Sequence, residues 1–207
     1  MRTFPDVRFR KLNSEAQHAG RLLDDRRYAE AREAFTTARA RARKLGLDSA
    51  YLAWGLAVAL DMTEETEMAF KVIAESVAMD PLNPAAQHSF DTIAWKLRAT
   101  LEDPDRAAGD PSTPRIYALL LEAGEADVAA HVAMARHLDA TGDTAGALRL
   151  LDSVTRLAPV SRDAWAARAR VARAAGDEAL AAECDAQVAA LGTARIPFAI
   201  PGERAAC

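Results

Sequence analysis

Apolar and small residues recur at three- and four-residue intervals along most of the chain, the spacing that lines one face of an α-helix. Tyr28, Ala31, Phe35 and Ala38 follow this rule, as do Leu56, Ala57 and Leu60. Alternating runs of β-branched and aromatic residues, the signature of a strand, are missing. The pattern predicts an all-α protein of five helical pairs. First helices fall at 12–25, 49–62, 84–101, 125–141 and 161–175, second helices at 28–45, 64–79, 114–123, 144–157 and 178–191. The most Pro- and Asp-rich stretch, 101–114, reads as a loop interrupting the third pair, with Thr113 capping a short helix that carries Pro114 at its first position.

The pairs repeat. Segments 128–161 and 162–192 align without a gap, matching Ala135 with Ala169, Gly142 with Gly176, Asp143 with Asp177 and Ala147 with Ala181. Small Ala135 and Ala147 let two helices approach closely. Gly142 ends the first helix where a left-handed residue is wanted. Asp143 can cap the second helix, and Pro159 stops it. Upstream, Ala31 to Ala69 spans one such period plus one helical turn, which a longer helix around RARKLGLD absorbs. Ala69 to Ala147 spans two periods plus a surplus that falls in 101–114. This period, with Gly-Asp between two helices and Trp165 at the first large packing position, resembles the tetratricopeptide repeat (TPR). The resemblance covers residues 12–192. It is specific in the last two units, fair in the first two, and poor in the third, which has neither the turn Gly nor the small-residue pair. It implies a right-handed superhelical solenoid of about five helix-turn-helix pairs, the third irregular. Residues 1–11 would be an N-terminal extension and 193–207 an extended C-terminal tail.

The resemblance also implies a function: a non-catalytic adaptor or scaffold that takes a peptide or helix of a partner in a groove lined by the first helices. The family's groove positions fall on Tyr51, Trp54, Val58, Asp61 and Met62 in the second unit, and on His88, Thr92, Trp95 and Lys96 in the third. In the fourth they fall on Val132, Arg136 and Asp139, and in the fifth on Asp163, Arg170 and Arg173. An aromatic centre would lead to an arginine-rich end, suited to apolar side chains followed by carboxylates. Taken singly, Trp54 and Trp95 also fit a packed core, and Arg170 a solvated surface charge. The family's clamp for acidic C-terminal peptides needs Asn where this chain has Gln17, Gly55, Ser89, Ala133 and Ala167, so that activity does not carry over.

Composition narrows the alternatives. Half of the 207 residues are hydrophobic and the net charge is -4, ordinary for a globular chain and poor for general nucleic-acid binding. The charge is uneven. Residues 1–44 hold twice as many basic as acidic side chains, and 45–113 three times as many acidic as basic. RNA binding through Arg21, Arg26, Arg27, Arg39, Arg41 and Arg43 is therefore a competing reading, disfavoured by net acidity and the lack of interleaved aromatics. Cys184 and Cys207 make no disulfide framework. Phosphate loops, paired-His metal motifs and a serine elbow are absent, so no enzyme, metal site or cofactor is expected. No secretory leader and no membrane-length apolar stretch is seen, which points to the cytoplasm. The Ala- and Arg-rich usage hints at a bacterial source. In the tail, Ile196, Phe198 and Ile200 alternate between Pro197 and Pro201. That segment could pack on the solenoid or on a second copy, or move freely, and self-assembly through the tail or the solenoid ends is the alternative function.

Overall fold

The computed structural model describes residues 7–193. The tail expectation lies outside the described residues. Among them the chain forms eleven α-helices and no strand: α1 (Val7–Asp24), α2 (Tyr28–Lys44), α3 (Ala50–Asp61), α4 (Thr66–Met79), α5 (Pro84–Leu101), α6 (Pro104–Gly109), α7 (Thr113–Glu122), α8 (Val128–Ala140), α9 (Thr144–Leu157), α10 (Arg162–Ala174) and α11 (Glu178–Thr193). Ten of these are the expected helices. The first begins earlier than the apolar pattern suggests, at Val7. The eleventh, α6, lies inside the stretch expected to be a loop.

Caps set the starts. The side chains of Ser49, Asn83, Asp127 and Ser161 accept from backbone N–H groups in the first turns of α3, α5, α8 and α10, satisfying donors that have no intrahelical partner. Asp143 does the same for α9, accepting from Gly146 N at 2.8 Å. Left-handed residues set the hairpin turns. Gly142 (φ 93°) and Gly176 (φ 80°) close the last two, and the non-glycine residues Arg26 (φ 58°) and Glu64 (φ 66°) close the first two.

Each first helix packs on its own second helix and on the first helix of the following unit, in the order α1, α3, α5, α8, α10. Each second helix except α11 also packs on the next first helix, covering apolar surface that a lone hairpin would expose. The core falls into two clusters that meet at α8. The larger runs from Leu12 to Ala133 and contains Phe35, Phe70, Ile93 and Leu120; the smaller runs from Val132 to Val171 around Leu151. Unit three is the seam. Its second helix, α7, has 10 residues where α4 and α9 have 14. The connection into it is α6, which packs chiefly on α8. Thr113 is the first residue of α7 rather than its cap. Its hydroxyl instead donates to Ala107 O at 2.6 Å, in the interior, which ties α6 to α7.

Candidate binding face

The first helices carry most of the expected groove residues, and α3 and α5 are stitched together along them. On α3, Tyr51 is 45% exposed. Its ring centroid lies 6.0 Å from that of Trp54 and 6.0 Å from that of Phe35. Burial of the hydroxyl, then the charge of Asp24, pushes the Tyr51 pKa up. Trp54 is half-buried and donates its indole N–H to Ser89 Oγ on α5 at 3.1 Å. One helical turn further on, Val58 is half-buried. At the far end of α3, Asp61 accepts from Lys96 Nζ at 2.6 Å. On α5, His88 is exposed, and Trp95 is 59% exposed. Trp54 thus keeps one edge in the core, whereas Trp95 stands in solvent.

The arginines separate into two groups. Arg136 of α8 and Arg170 of α10 converge on one carboxylate oxygen, Oδ1 of Asp105 on α6, at 2.8 and 3.1 Å. Arg136 is the more enclosed, and its Nε is buried with no hydrogen-bond partner among the described residues. Beside it lies a cleft of about 610 Å³ lined by Leu101, Val132, Arg136, Ser161 and Asp163 among others. Val132 is 4% exposed and belongs to the core. Arg173 turns away, pairing with Asp185 of α11, and Asp139 accepts from Thr144 Oγ1 across the hairpin turn at 2.9 Å.

Asp105 and Ser89 were not among the expected groove residues. Ser89 gave no signal beyond its register. Asp105 had one: Asp103-Pro104 is the same cap-then-proline start as Asn83-Pro84, and the Asp103 side chain accepts from Asp105 N and Arg106 N. A second cleft, of about 480 Å³, opens on the other side between α4 and α7, lined by Phe70, Ala74, Leu119 and Ala123, where short α7 leaves α4 partly uncovered.

The uneven charge is largely resolved within the fold. Arg39, only 4% exposed, pairs with Asp48 and with Glu75, and Arg43 reaches Asp48 at 2.8 Å and Glu75 at 2.5 Å. Arg32 pairs with Glu65, and Arg41 with Glu15 at 2.8 Å. Burial pushes the Asp48 carboxyl up, but hydrogen bonds from Arg43 and Arg39 outweigh it and hold the group below its ordinary range. The basic first unit thus meets the acidic second one, and Arg39, Arg41 and Arg43 are engaged in protein contacts.

Among the described residues no cluster of His, Cys, Asp and Glu could hold a metal ion. Cys184 is fully buried, and that burial pushes its thiol up, away from the reactive thiolate. No helix among the described residues is long and apolar enough to cross a membrane.

Five stacked helical hairpins with a left-handed turn residue in four of them make this an all-α helical-repeat fold. No family model and no curated protein matches the chain. Similar solved structures include a MamA fragment from Desulfovibrio magneticus, 14% identical, TM-score 0.39, with 88% of this chain and 95% of that one covered. A tetratricopeptide repeat protein from Parabacteroides merdae is 14% identical, TM-score 0.38, with coverage of 87% and 80%. YrrB, described as a TPR protein with an unusual peptide-binding site, is 16% identical, TM-score 0.39, with coverage of 90% and 92%.

Proposed function

We propose that this protein is a non-catalytic scaffold that holds a peptide or helix of another protein against its first-helix face. The observation that carries the reading is the distribution of anchors on that face: solvent-exposed Tyr51 and Trp95 on α3 and α5, and the paired guanidinium groups of Arg136 and Arg170 on α8 and α10. Aromatic and Arg side chains are the residues that most often dominate binding energy, because aromatic rings bury large area with few rotatable bonds and Arg makes directed polar contacts. A Trp left 59% exposed on a helix whose other large apolar residues are covered is a ready anchor of this kind. Apolar side chains of the partner would sit at the aromatic end and its acidic groups at the arginine end.

The test is capture of partners from lysate by the full chain and by a Trp95→Ala, Arg170→Ala double variant, each checked for folding by circular dichroism. Both positions are well exposed, so the variant is expected to fold. A partner retained by the full chain and released by the variant supports the reading. Equal retention by both excludes the first-helix face as the binding surface.

A further inference from the structure

A single large apolar side chain in solvent is ordinary, but here two loops repeat the same exposed pair. The loop from α4 to α5 carries Met79 and Leu82, and the loop from α9 to α10 carries Leu157 and Val160. All four are exposed, Leu82 to 92% and Val160 to 78%. Each pair stands three residues apart around a proline, Pro81 or Pro159. First and second helices alternate along the stack, so both loops lie on one edge, where second helices end and first helices begin. The other two inter-unit loops, 45–49 and 123–127, have no proline and turn through left-handed Gly46 and Gly124.

The two loops are also built alike. Asp80 N donates to Ser76 O and Asn83 N to Asp80 O, at 3.0 and 3.2 Å; Ala158 N donates to Val154 O and Ser161 N to Ala158 O, at 2.8 and 3.0 Å. The carbonyl of each proline accepts from a side chain six residues further on, Gln87 Nε2 at 3.1 Å and Trp165 Nε1 at 2.9 Å. The aliphatic pairs are therefore fixed corners, which lose little freedom on contact. Their charges differ in sign. Exposed Asp80 stands in the first corner. Exposed Arg156 and Arg162 flank the second, where Arg156 also pairs with Asp152 at 2.6 Å and Asp163 follows Arg162. In the stretch between the corners, Glu125 is paired with Arg98, and Glu122 lines the cleft beside α4.

We propose that this edge is a self-association surface. Two copies meet across a two-fold axis, with the Met79 and Leu82 corner of each against the Leu157 and Val160 corner of the other. The commitment to a second copy comes from self-complementarity. Two apolar corners of the same build and opposite charge, on one edge, match each other after a half-turn. Asp80 then faces Arg156 and Arg162 at both ends, and the contact closes after two copies, as isologous interfaces do. This assembly uses none of the residues assigned to the first-helix face, so it stands apart from the scaffold reading.

Sedimentation velocity of the full chain across a wide concentration range tests it. The mass should move from 22.2 kDa toward twice that value as concentration rises. Leu82→Asp, at a side chain almost wholly in solvent, should weaken association about a hundredfold, because each dimer bears the change twice. Asp80→Arg and Arg162→Asp should each self-associate less than the unaltered chain. Mixing those two variants should restore the dimer, because the mixed pair brings opposite charges together at both corners. The proposal is overturned if the chain stays at 22.2 kDa throughout; sedimentation of such a monomer with anionic lipid vesicles would assign the corners to a lipid surface instead. It is equally overturned if Leu82→Asp associates as tightly as the unaltered chain, which would move the contact to another surface. Mass that grows past the dimer, or charge variants that fail to recombine, overturns the two-fold arrangement. Partner capture by Leu82→Asp should match that of the full chain, so loss through Trp95→Ala reports on the scaffold reading whatever the edge does.

Discussion

The first two hairpins and the last two have the same architecture and reach it by different means. In α1–α4 the units are joined by large side chains. Phe35 of α2 inserts edge-on against Gly55 of α3, Tyr51 rests on Phe35, and buried Arg39 ties α2 to Asp48 and Glu75. In α8–α11 no aromatic ring is buried among the described residues, and Ala135, Ala147, Ala164, Ala167, Ala169 and Ala181, all at most 1% exposed, pack beside Leu151, Val154 and Val171, with Gly at both hairpin turns. The C-terminal half lets backbones approach over small residues, so its fit depends on what is absent. The N-terminal half fills the same space with rings and a guanidinium, so its fit depends on matched pairs. A shared fold therefore hides opposite sensitivities to the same substitution.

One register position makes this testable. Gly55, Ala133 and Ala167 are equivalent, on α3, α8 and α10. A Cβ at Gly55 would come within 2.2 Å of the tip of the Phe35 ring. Gly55→Ala gains helix propensity of up to about 1 kcal/mol yet should lose stability overall, by about 2 kcal/mol, because overpacking a rigid ring forces backbone shifts. Ala133→Gly, the reverse change in the second half, should cost only about 1 kcal/mol, the propensity term. Urea unfolding gives both values. Adding Phe35→Leu should recover part of the Gly55→Ala loss but none of the Ala133→Gly loss. Equal and additive effects at the two sites would remove the distinction between the halves.

The next largest effect concerns Arg39. Arg39→Ala leaves Asp48 and Glu75 still reached by Arg43, so the expected loss is about 2 kcal/mol, less than for an isolated buried pair. The network also sets an acid limb. The folded-state pKa of Asp48 lies below its unfolded value, so its contribution is complete above the ordinary carboxylate range and is lost as pH falls through the folded value. Asp48→Asn should lower stability at neutral pH and flatten its fall below about pH 4, measured as urea midpoints across an acid series. An unchanged acid limb in Asp48→Asn would break that assignment.

The two halves also differed in how readily the sequence revealed them. In α8–α11 each structural element leaves a residue-type signature: Ala for close approach, Gly for the left-handed turn, Asp for the cap, Pro beyond the helix. The boundaries of those helices follow from it within a few residues. In α1–α4 the turns lie at Arg26 and Glu64, which carry no such signature, and the repeat shows only through its spacing. The caps would have been the better guide: Ser49 and Asn83 are separated by the same interval as Asp127 and Ser161. The surplus in unit three reads as a loop because Pro and Asp dominate it, although Asp103-Pro104 also starts a helix. The expected binding face could be written from register alone for Tyr51, Trp54, Trp95, Arg136 and Arg170. What register could not provide was the acceptor between the two arginines, because Asp105 comes from an insertion that has no counterpart in any other unit.

The smallest expected effect isolates the turns from the packing. Gly142 holds φ 93° with nothing within 4 Å of a built Cβ, so Gly142→Ala is a purely conformational change and should cost about 1–2 kcal/mol, the penalty of a left-handed L-residue. Glu64, at φ 66°, already bears that penalty. Glu64→Gly removes it but returns backbone freedom to the unfolded chain, worth about 0.5–1 kcal/mol in the opposite direction. The net should be a small gain, about 0.5 kcal/mol, seen as a rise in urea midpoint without a change in slope. The signs carry the argument: glycine is removed at a loss in the second half and introduced at a gain in the first, at structurally equivalent turns. A loss at both would mean that the Glu64 side chain contributes something the turn geometry does not require, and the two halves would then differ in their turns as well as in their packing.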